Sequence, residues 1–527
     1  MDEQWHHGIA NVTMKKNSWI LLILLVIFVT RSTTFFTPLI DDEEAFAVFA
    51  RVLLHGGLPY VSVVDNKPPL VYYFYTLWFY IFGDGNMLAV HIIAAVWVAV
   101  TCYVIYLITK EIYSPSPLGG EGGGEGPATS APYLAALSYA VFTTTFKPTY
   151  LSVNSSLLLA LPLSLSVWMF CKWLNSGKSW ITLLSGVMCT TAALFKYQAL
   201  VQVPFLLVMF FYVIPAKAGI QRFRSIFFFL LGALLPALAV VACLYFQGTL
   251  KEFYQVTLSA SMSYIQTGGS SANYWGRAVG RTAVYILATL PLWWAAINQL
   301  RLRMPGVASP YSALLWGWVL TSIPAITVGG RFFGHYFIQV LPPLCIIAGA
   351  QFAVWRHSWK SKLVVGFAIL SAVGWMVPRI FADEIAVRFG FHGLKRERAV
   401  ATYIKEHLPK GEKIFVWGVA PSIYFLSGSD PATRLLWADL LTGRAPGLIE
   451  TQKGATDTSG SIDKKSWDDL NSDFEKYLPY YIVDTSSGDL RDYAKFPILS
   501  YPIMRNIVSG RYTVEATIEG VNIYRRR

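Results

Sequence analysis

The stretch "LIDDEEAFAVFARVLLHGGLPYVSVVDNKPPLVYY", residues 39–73, decides how the whole chain is read. Four consecutive carboxylates, Asp41, Asp42, Glu43 and Glu44, stand directly after an apolar run from Ser18 to Pro38. That run has the length of about 20 residues that an α-helix needs to cross a bilayer. It exceeds the core of a signal peptide and no small-residue cleavage site follows it, so it reads as a retained anchor. The acids therefore sit where the chain leaves the bilayer, and the same loop continues to Asp65, Lys67 and the pair Pro68-Pro69. Charges at a membrane rim are costly unless paired or hydrated, which makes this loop the first place to look for function.

Outward from this loop the chain stays apolar. Its 527 residues are 54% hydrophobic and 15% aromatic but only 14% charged, and the mean hydropathy is +0.45. That is too little polar surface for a soluble globule, and the repeated membrane-length runs indicate a polytopic helical membrane protein. Further spans are expected at 88–109, 131–147, 155–174, 180–195, 199–214, 226–246, 278–299, 309–328, 336–355 and 363–380, about eleven in all with the first. The segment from Pro68 to Phe82 offers only about 15 apolar or aromatic residues and starts with two prolines, which suits an interfacial or re-entrant helix.

With Lys15 and Lys16 inside, the loops carrying Lys172/Lys178, Lys217/Arg222/Arg224, Arg301/Arg303 and Arg356/Lys360/Lys362 all become cytoplasmic, as the positive-inside rule asks. The net charge of +12 is thereby explained without nucleic acid. One loop dissents, "KEIYSPSPLGGEGGGEGPATS", with Glu111, Glu121 and Glu125 against Lys110. Acidic residues weigh little in that rule, and no strand precedes these glycines, so the stretch reads as a Gly/Pro insertion and not as a phosphate loop. All five cysteines fall within apolar spans and read as small core hydrophobes, leaving none for an outer disulfide or a thiolate metal site.

After residue 380 the texture changes. "LKRERAVATYIKEHLP" has helical spacing, "KIFVWG" and "YYIVDTS" read as short buried strands, and "YTVEATIEGVNIYRR" as a hairpin turning at Glu519-Gly520. A small α/β domain is expected over 381–527, on the outer side, with no nucleophile or metal motif of its own.

Four cations, Lys67, Lys147, Lys196 and Arg331, stand at outer helix ends, where the rule disfavours them. Facing a cluster of carboxylates, they point to a cavity for an anionic ligand, with interfacial snorkelling as the plain alternative for Lys147 and Lys196. Tyr60, Tyr72, Tyr73 and Trp275 are candidates for stacking on sugar or lipid, although a membrane-interface role is the simpler reading of Tyr72 and Tyr73.

The acids followed by "GGLPY", then "DNKPPLVYY" and "YIFGDGN", resemble the first outer loop of the family 39 glycosyltransferases of the GT-C group, which includes protein O-mannosyltransferases and the lipid A aminoarabinose transferase. "FKYQALVQVP" and "GGRFFGHYFIQVLPPL" resemble patterns in its bacterial members. The charge topology implies a cytoplasmic N-terminal tail at 1–17 and the α/β domain outside, and the resemblance implies a GT-C-like catalytic module over 18–380 with its first outer loop at 39–87, in the inner membrane of a bacterium. It also implies transfer of a hexose or pentose from a polyprenyl-phosphate carrier to a hydroxyl of a glycan, lipid or protein, with inversion at the anomeric carbon. No cofactor is required by that scheme; clustered oxygen ligands can bind a divalent metal, but none is predicted.

Such a displacement needs a base beside the incoming hydroxyl and cations around the departing phosphate. Asp41, Asp42 and Glu43 are the candidate catalytic acids, and like charge with partial burial is expected to raise one of their pKa values toward the working pH. On a helix starting here, residues 41 and 44 share a face while 42 and 43 point elsewhere, so some of the four must be capping or first-turn residues. Lys67, Arg331 and Lys196 are candidates for the donor phosphate, and Tyr60, Asp65, His335, Tyr336 and Asn154 for the rest of the substrate. Two departures from the family pattern stand out: "VNSS" where relatives carry an acid, and His91 where an Arg is common. A non-catalytic subunit binding a lipid-linked sugar and a transporter are the rival readings. The transporter lacks support because the ionisable groups lie at one rim and no internal repeat is visible.

Overall fold

The computed structural model describes residues 15–35, 39, 42–113, 127–145, 151–213, 219–269, 273–302, 309–380, 394–444, 458 and 462–527. Asp41, Lys147 and the centre of the Gly/Pro insertion lie outside the described residues.

Helix α1 (Lys16–Phe35) covers the first expected span. The loop that follows folds into two short helices, α2 (Glu43–Leu54) and α3 (Leu70–Phe82), joined by an irregular segment that carries Tyr60, Asp65 and Lys67. The membrane body continues with α4 (Met87–Tyr113), α5 (Pro127–Phe142), α6 (Ser155–Ser176), α7 (Ile181–Phe195), α8 (Gln202–Val213) and α9 (Gly219–Phe246). It ends with α10 (Leu250–Gly269), α11 (Tyr274–Ala288), α12 (Leu290–Arg301), α13 (Ser309–Thr327), α14 (Leu341–Trp355) and α15 (Trp359–Ile380). Helix α10 lies between the spans expected at 226–246 and 278–299.

Among the described residues, five helices are long and apolar enough to cross a membrane, and α11 with α12, bent by 87° at their junction, pass the same test only as a pair. Other expected spans correspond to shorter helices such as α7 and the pair Tyr197–Val201 and α8. Hydropathy scores a run of residues, whereas Lys196 breaks its run by turning extended at φ −157°.

Helix α9 shows what faces lipid and what faces protein. Ile220, Phe223, Phe227, Leu234 and Leu238 lie exposed, as a bilayer permits. On its other side Gly232 meets the α7 backbone at Leu183, and Gly186 of α7 meets the α9 backbone at Phe229, so a side chain at either glycine would collide with main chain. Hydroxyls close the same contacts. Thr182 Oγ1 donates to Ser225 O at 2.7 Å, and Ser166 and Ser185 exchange bonds between α6 and α7 at 2.8 and 2.9 Å. Without a hydrophobic drive between helices in lipid, close backbone packing and such bonds hold the bundle together.

Past the membrane body come α16 (Lys395–His407), β1 (Ile414–Trp417), α17 (Pro421–Ser427), α18 (Asp439–Thr442), α19 (Lys464–Lys476), β2 (Tyr481–Asp484), α20 (Pro502–Arg511), β3 (Tyr512–Ile518) and β4 (Val521–Arg526). The sheet order is β1-β2-β4-β3, with β1 and β2 parallel and the other pairs antiparallel. Glu519 at φ 51° and Gly520 at φ 83° make the tight β3–β4 turn, the backbone twist a two-residue hairpin prefers. Phe415, Trp417, Leu470 and Phe474 fill the core between this sheet and α19.

Candidate active site

Helix α2 starts inside the acidic stretch, and successive residues on a helix turn by about 100°, so its first acids diverge. Asp42 holds the N-cap position, where its carbonyl accepts the Phe46 N–H at 3.2 Å, yet its carboxylate makes no capping bond. Instead it faces His335, whose Nε2 lies 3.9 Å away, with Lys67 and Lys196 as its nearest cations. Glu43 points the other way into the bundle and is fully buried. Glu44 turns toward the C-terminal domain.

Burial acts to raise the Asp42 pKa, but Lys67, then His335 and Lys196, outweigh it and hold the carboxyl below the usual range. This reverses the expectation that crowded acids would raise one another. Glu43 and Glu44 have turned to partners of their own, and Asp42 is left to Lys67 and Lys196.

Lys67 is held by its loop. Its Nζ lies 3.4 Å from Asp65 Oδ2 and 5.3 Å from the centre of the Phe46 ring. Tyr72 donates to Asp65 at 2.8 Å, and Tyr60 donates to the Lys67 carbonyl at 2.9 Å. Tyr60 and Tyr72 are thus buried props for the cation. Tyr72 in particular is no interface residue: its ring stacks on Phe49 at 3.6 Å and its hydroxyl is engaged by Asp65. Trp275 stays exposed on α11.

Lys196 approaches from the end of α7. It donates to Ser156 Oγ at 2.6 Å and sits 3.8 Å from the centre of the Tyr336 ring. Burial lowers its pKa to about 7, with Asp42 opposing and Lys67 adding to the drop. His335 and Tyr336 lie in the 3-10 turn Gly334–Val340, their rings edge to face at 4.8 Å. Arg331, buried four residues earlier, precedes Phe332 at φ 52°. Tyr60 at φ 63° and Phe332 are bulky residues in the left-handed region, one on each loop that supports the cluster.

Asn154 caps α6: its Oδ1 accepts from Ser156 and Leu157 N–H at 2.9 and 3.0 Å. Its residue type therefore positions Ser156 beside Lys196. Glu43 accepts the Val153 N–H at 2.5 Å and pairs with His91 Nε2 at 3.1 Å, tying α2 to α4 and to the start of α6. Glu43→Ala is expected to destabilise the fold by about 3–5 kcal/mol, the cost of leaving one member of a buried pair alone. Thermal unfolding in detergent reads this directly, and an unmoved midpoint would remove Glu43 from the framework.

The cluster that results sets the Asp42 carboxylate beside two lysines and an imidazole, with Asp65 behind Lys67, an arrangement that can hold an anion beside a base. Among the described residues no group of three His, Cys, Asp or Glu is placed to hold a metal. Sequence reasoning missed the bond between Glu44 and Arg491, which are 447 positions apart, since no local signal marks it.

Residues 66–246 match the family model described as dolichyl-phosphate-mannose-protein mannosyltransferase. Among solved structures, the chain resembles ArnT from Cupriavidus metallidurans bound to undecaprenyl phosphate, with a TM-score of 0.55 and 14% identity over 97% of this chain and 98% of that one. The apo state of the same enzyme gives a TM-score of 0.51 at 14% identity, over 96% of this chain and 98% of that one. Archaeal oligosaccharyltransferase AglB from Archaeoglobus fulgidus, in complex with an inhibitory peptide and a dolichol-phosphate, gives 0.50 at 12% identity over 98% of this chain and 75% of that one. No curated protein sequence matches the chain. The resemblance to GT-C membrane glycosyltransferases read from "DNKPPLVYY" is thus met by a family match that begins at Asn66 and by a shared fold.

Proposed function

We propose that this protein moves a sugar, a hexose or a pentose, from a polyprenyl-phosphate donor to an acceptor hydroxyl at the outer face of the cytoplasmic membrane. The observation that carries the reading is the carboxylate of Asp42 set among Lys67, Lys196 and His335. In this scheme Asp42 takes the proton of the incoming hydroxyl, the hydroxyl oxygen bonds to the sugar C1, and the C1–O bond to phosphate breaks on the opposite face with inversion. The negative charge arriving on the phosphate is neutralised by the two lysines. An anionic donor also draws the lysine field away from Asp42 and so makes it a stronger base once the donor is bound. The undecaprenyl phosphate and dolichol-phosphate bound by the structural neighbours support a lipid phosphate as the donor carrier. Full topology in this reading has about eleven spans, the N-terminus inside and the α/β domain outside.

The test is transfer of labelled sugar from a synthetic polyprenyl-phosphate donor in membranes containing the protein. Donor binding without turnover would assign it to a binding subunit instead. A pH signature accompanies the scheme. Lys196 carries its charge below about 7 and loses it above, because burial lowers its pKa. Donor binding favours the charged form, so the apparent Kd is expected to rise above neutral pH, by up to about tenfold per unit. Lys196→Arg, always cationic, should flatten that rise, and an identical slope in the variant would exclude Lys196 from phosphate contact.

A further inference from the structure

Glu44 leaves the active-site helix and enters the C-terminal domain at the carboxyl ends of its parallel strands. The first turn of α17, which follows β1, supplies the Ser422 N–H, 3.3 Å from Glu44 Oε2, and the loop after β2 supplies Arg491, whose Nη2 lies 2.7 Å from Glu44 Oε1. In open α/β sheets this edge is where ligands bind; here it receives a side chain of the same polypeptide. Arg491 is itself braced, with Nε 2.9 Å from Glu397 Oε1 and Nη1 donating to the Val419 carbonyl at 3.0 Å. Its backbone sits at φ 57°, flanked by Asp489 at 50° and Asp492 at 61°, three non-glycine residues in the left-handed region within four positions. Such strain persists where the surroundings over-determine it, and it clusters at functional positions.

The same domain holds the other arm of the site. Val64, three residues before Lys67, donates its N–H to the Arg434 carbonyl at 2.9 Å, and Arg434 is anchored by Asp473 at 2.7 Å. Between these points Arg51 bonds the Gly428 carbonyl at 3.2 Å.

We infer that the C-terminal domain is a positioning element of the active site, with Arg491 gripping Glu44 so that Asp42, two residues earlier, faces Lys67 and Lys196. The inference rests on the proposed transferase reading for its kinetic consequence and on geometry alone for the grip. A residue displaced by about 1 Å from its productive position costs on the order of 100-fold in rate. Glu44→Ala removes the grip yet leaves Arg491 paired with Glu397, so no buried charge is stranded.

The full chain in nanodiscs is expected to lose about 100-fold in kcat on this change, with KM for the donor unmoved because Lys67 keeps its own anchor. Glu44→Gln, whose one carbonyl oxygen still accepts from Arg491 while the Ser422 bond is given up, should restore part of the rate. Hydrogen–deuterium exchange should quicken at residues 42–54 while α6 and α14 stay protected. Wild-type kcat and exchange in Glu44→Ala would overturn the inference, as would a loss of protection spread over the whole chain, which would make the contact purely structural. A wild-type protein that transfers no sugar would sink the proposed function alone, since the exchange measurement still judges the grip.

Discussion

Asp42→Asn is expected to slow sugar transfer by about 10³-fold, within the range that a positioned general base contributes. The change keeps the size and shape of the side chain and removes only its ability to take a proton. Folding should be unaffected, because the carboxylate makes no capping bond and the helix starts through the Asp42 carbonyl, which Asn retains. Affinity for polyprenyl phosphate should hold or tighten. Taking a negative charge away from Lys67 and Lys196 leaves more positive field for the phosphate. Transfer of labelled sugar, run beside a binding titration, separates the two outcomes. Full turnover in Asp42→Asn would refute the assignment of the base, and loss of binding together with turnover would mean that the carboxylate serves the fold.

Lys67→Ala carries the second large effect, a donor affinity weaker by about 10–100-fold, matching roughly 1.5–3 kcal/mol for a hydrogen bond to a charged group. Its framework survives the truncation. Tyr60 bonds the Lys67 carbonyl, which alanine also has, and Asp65 keeps Tyr72 and the Asn66 N–H. The loop that presents the cation should therefore stay in place without it, and the unfolding midpoint should scarcely move. Removing Lys67 also takes away the largest influence lowering the Asp42 pKa, so the acid limb of the pH–rate profile is expected to shift upward. Isothermal titration with polyprenyl phosphate measures the affinity, and an unchanged Kd would place the phosphate elsewhere.

Much of the fold was legible because the signals are local. Apolar composition announces a membrane protein, the double proline announces the start of a short helix, and Glu519-Gly520 announces a hairpin. Lys67, Lys196 and His335 were legible as candidates because each stands beside a long apolar run, where charge needs a reason. Their joint placement around Asp42 was not. Tyr60, Tyr72 and Asn154 carry the groups expected of substrate ligands, yet they spend them on the Lys67 carbonyl, Asp65 and the first turn of α6. A hydroxyl or an amide in a sequence does not show which partner it will find.

Within the quoted stretch, the sequence by itself determined that a carboxylate cluster and a lysine share one loop at a membrane exit, since charge and spacing are properties of adjacent residues. Only the tertiary structure decided the separate tasks of the acids. Asp42 meets Lys196 at the end of α7 and His335 in the turn after α13, Glu43 meets His91 on α4, and Glu44 meets Arg491 in the C-terminal domain. One turn of helix aims three neighbouring side chains in three directions, and what waits in each direction is set by chain segments up to 447 positions away.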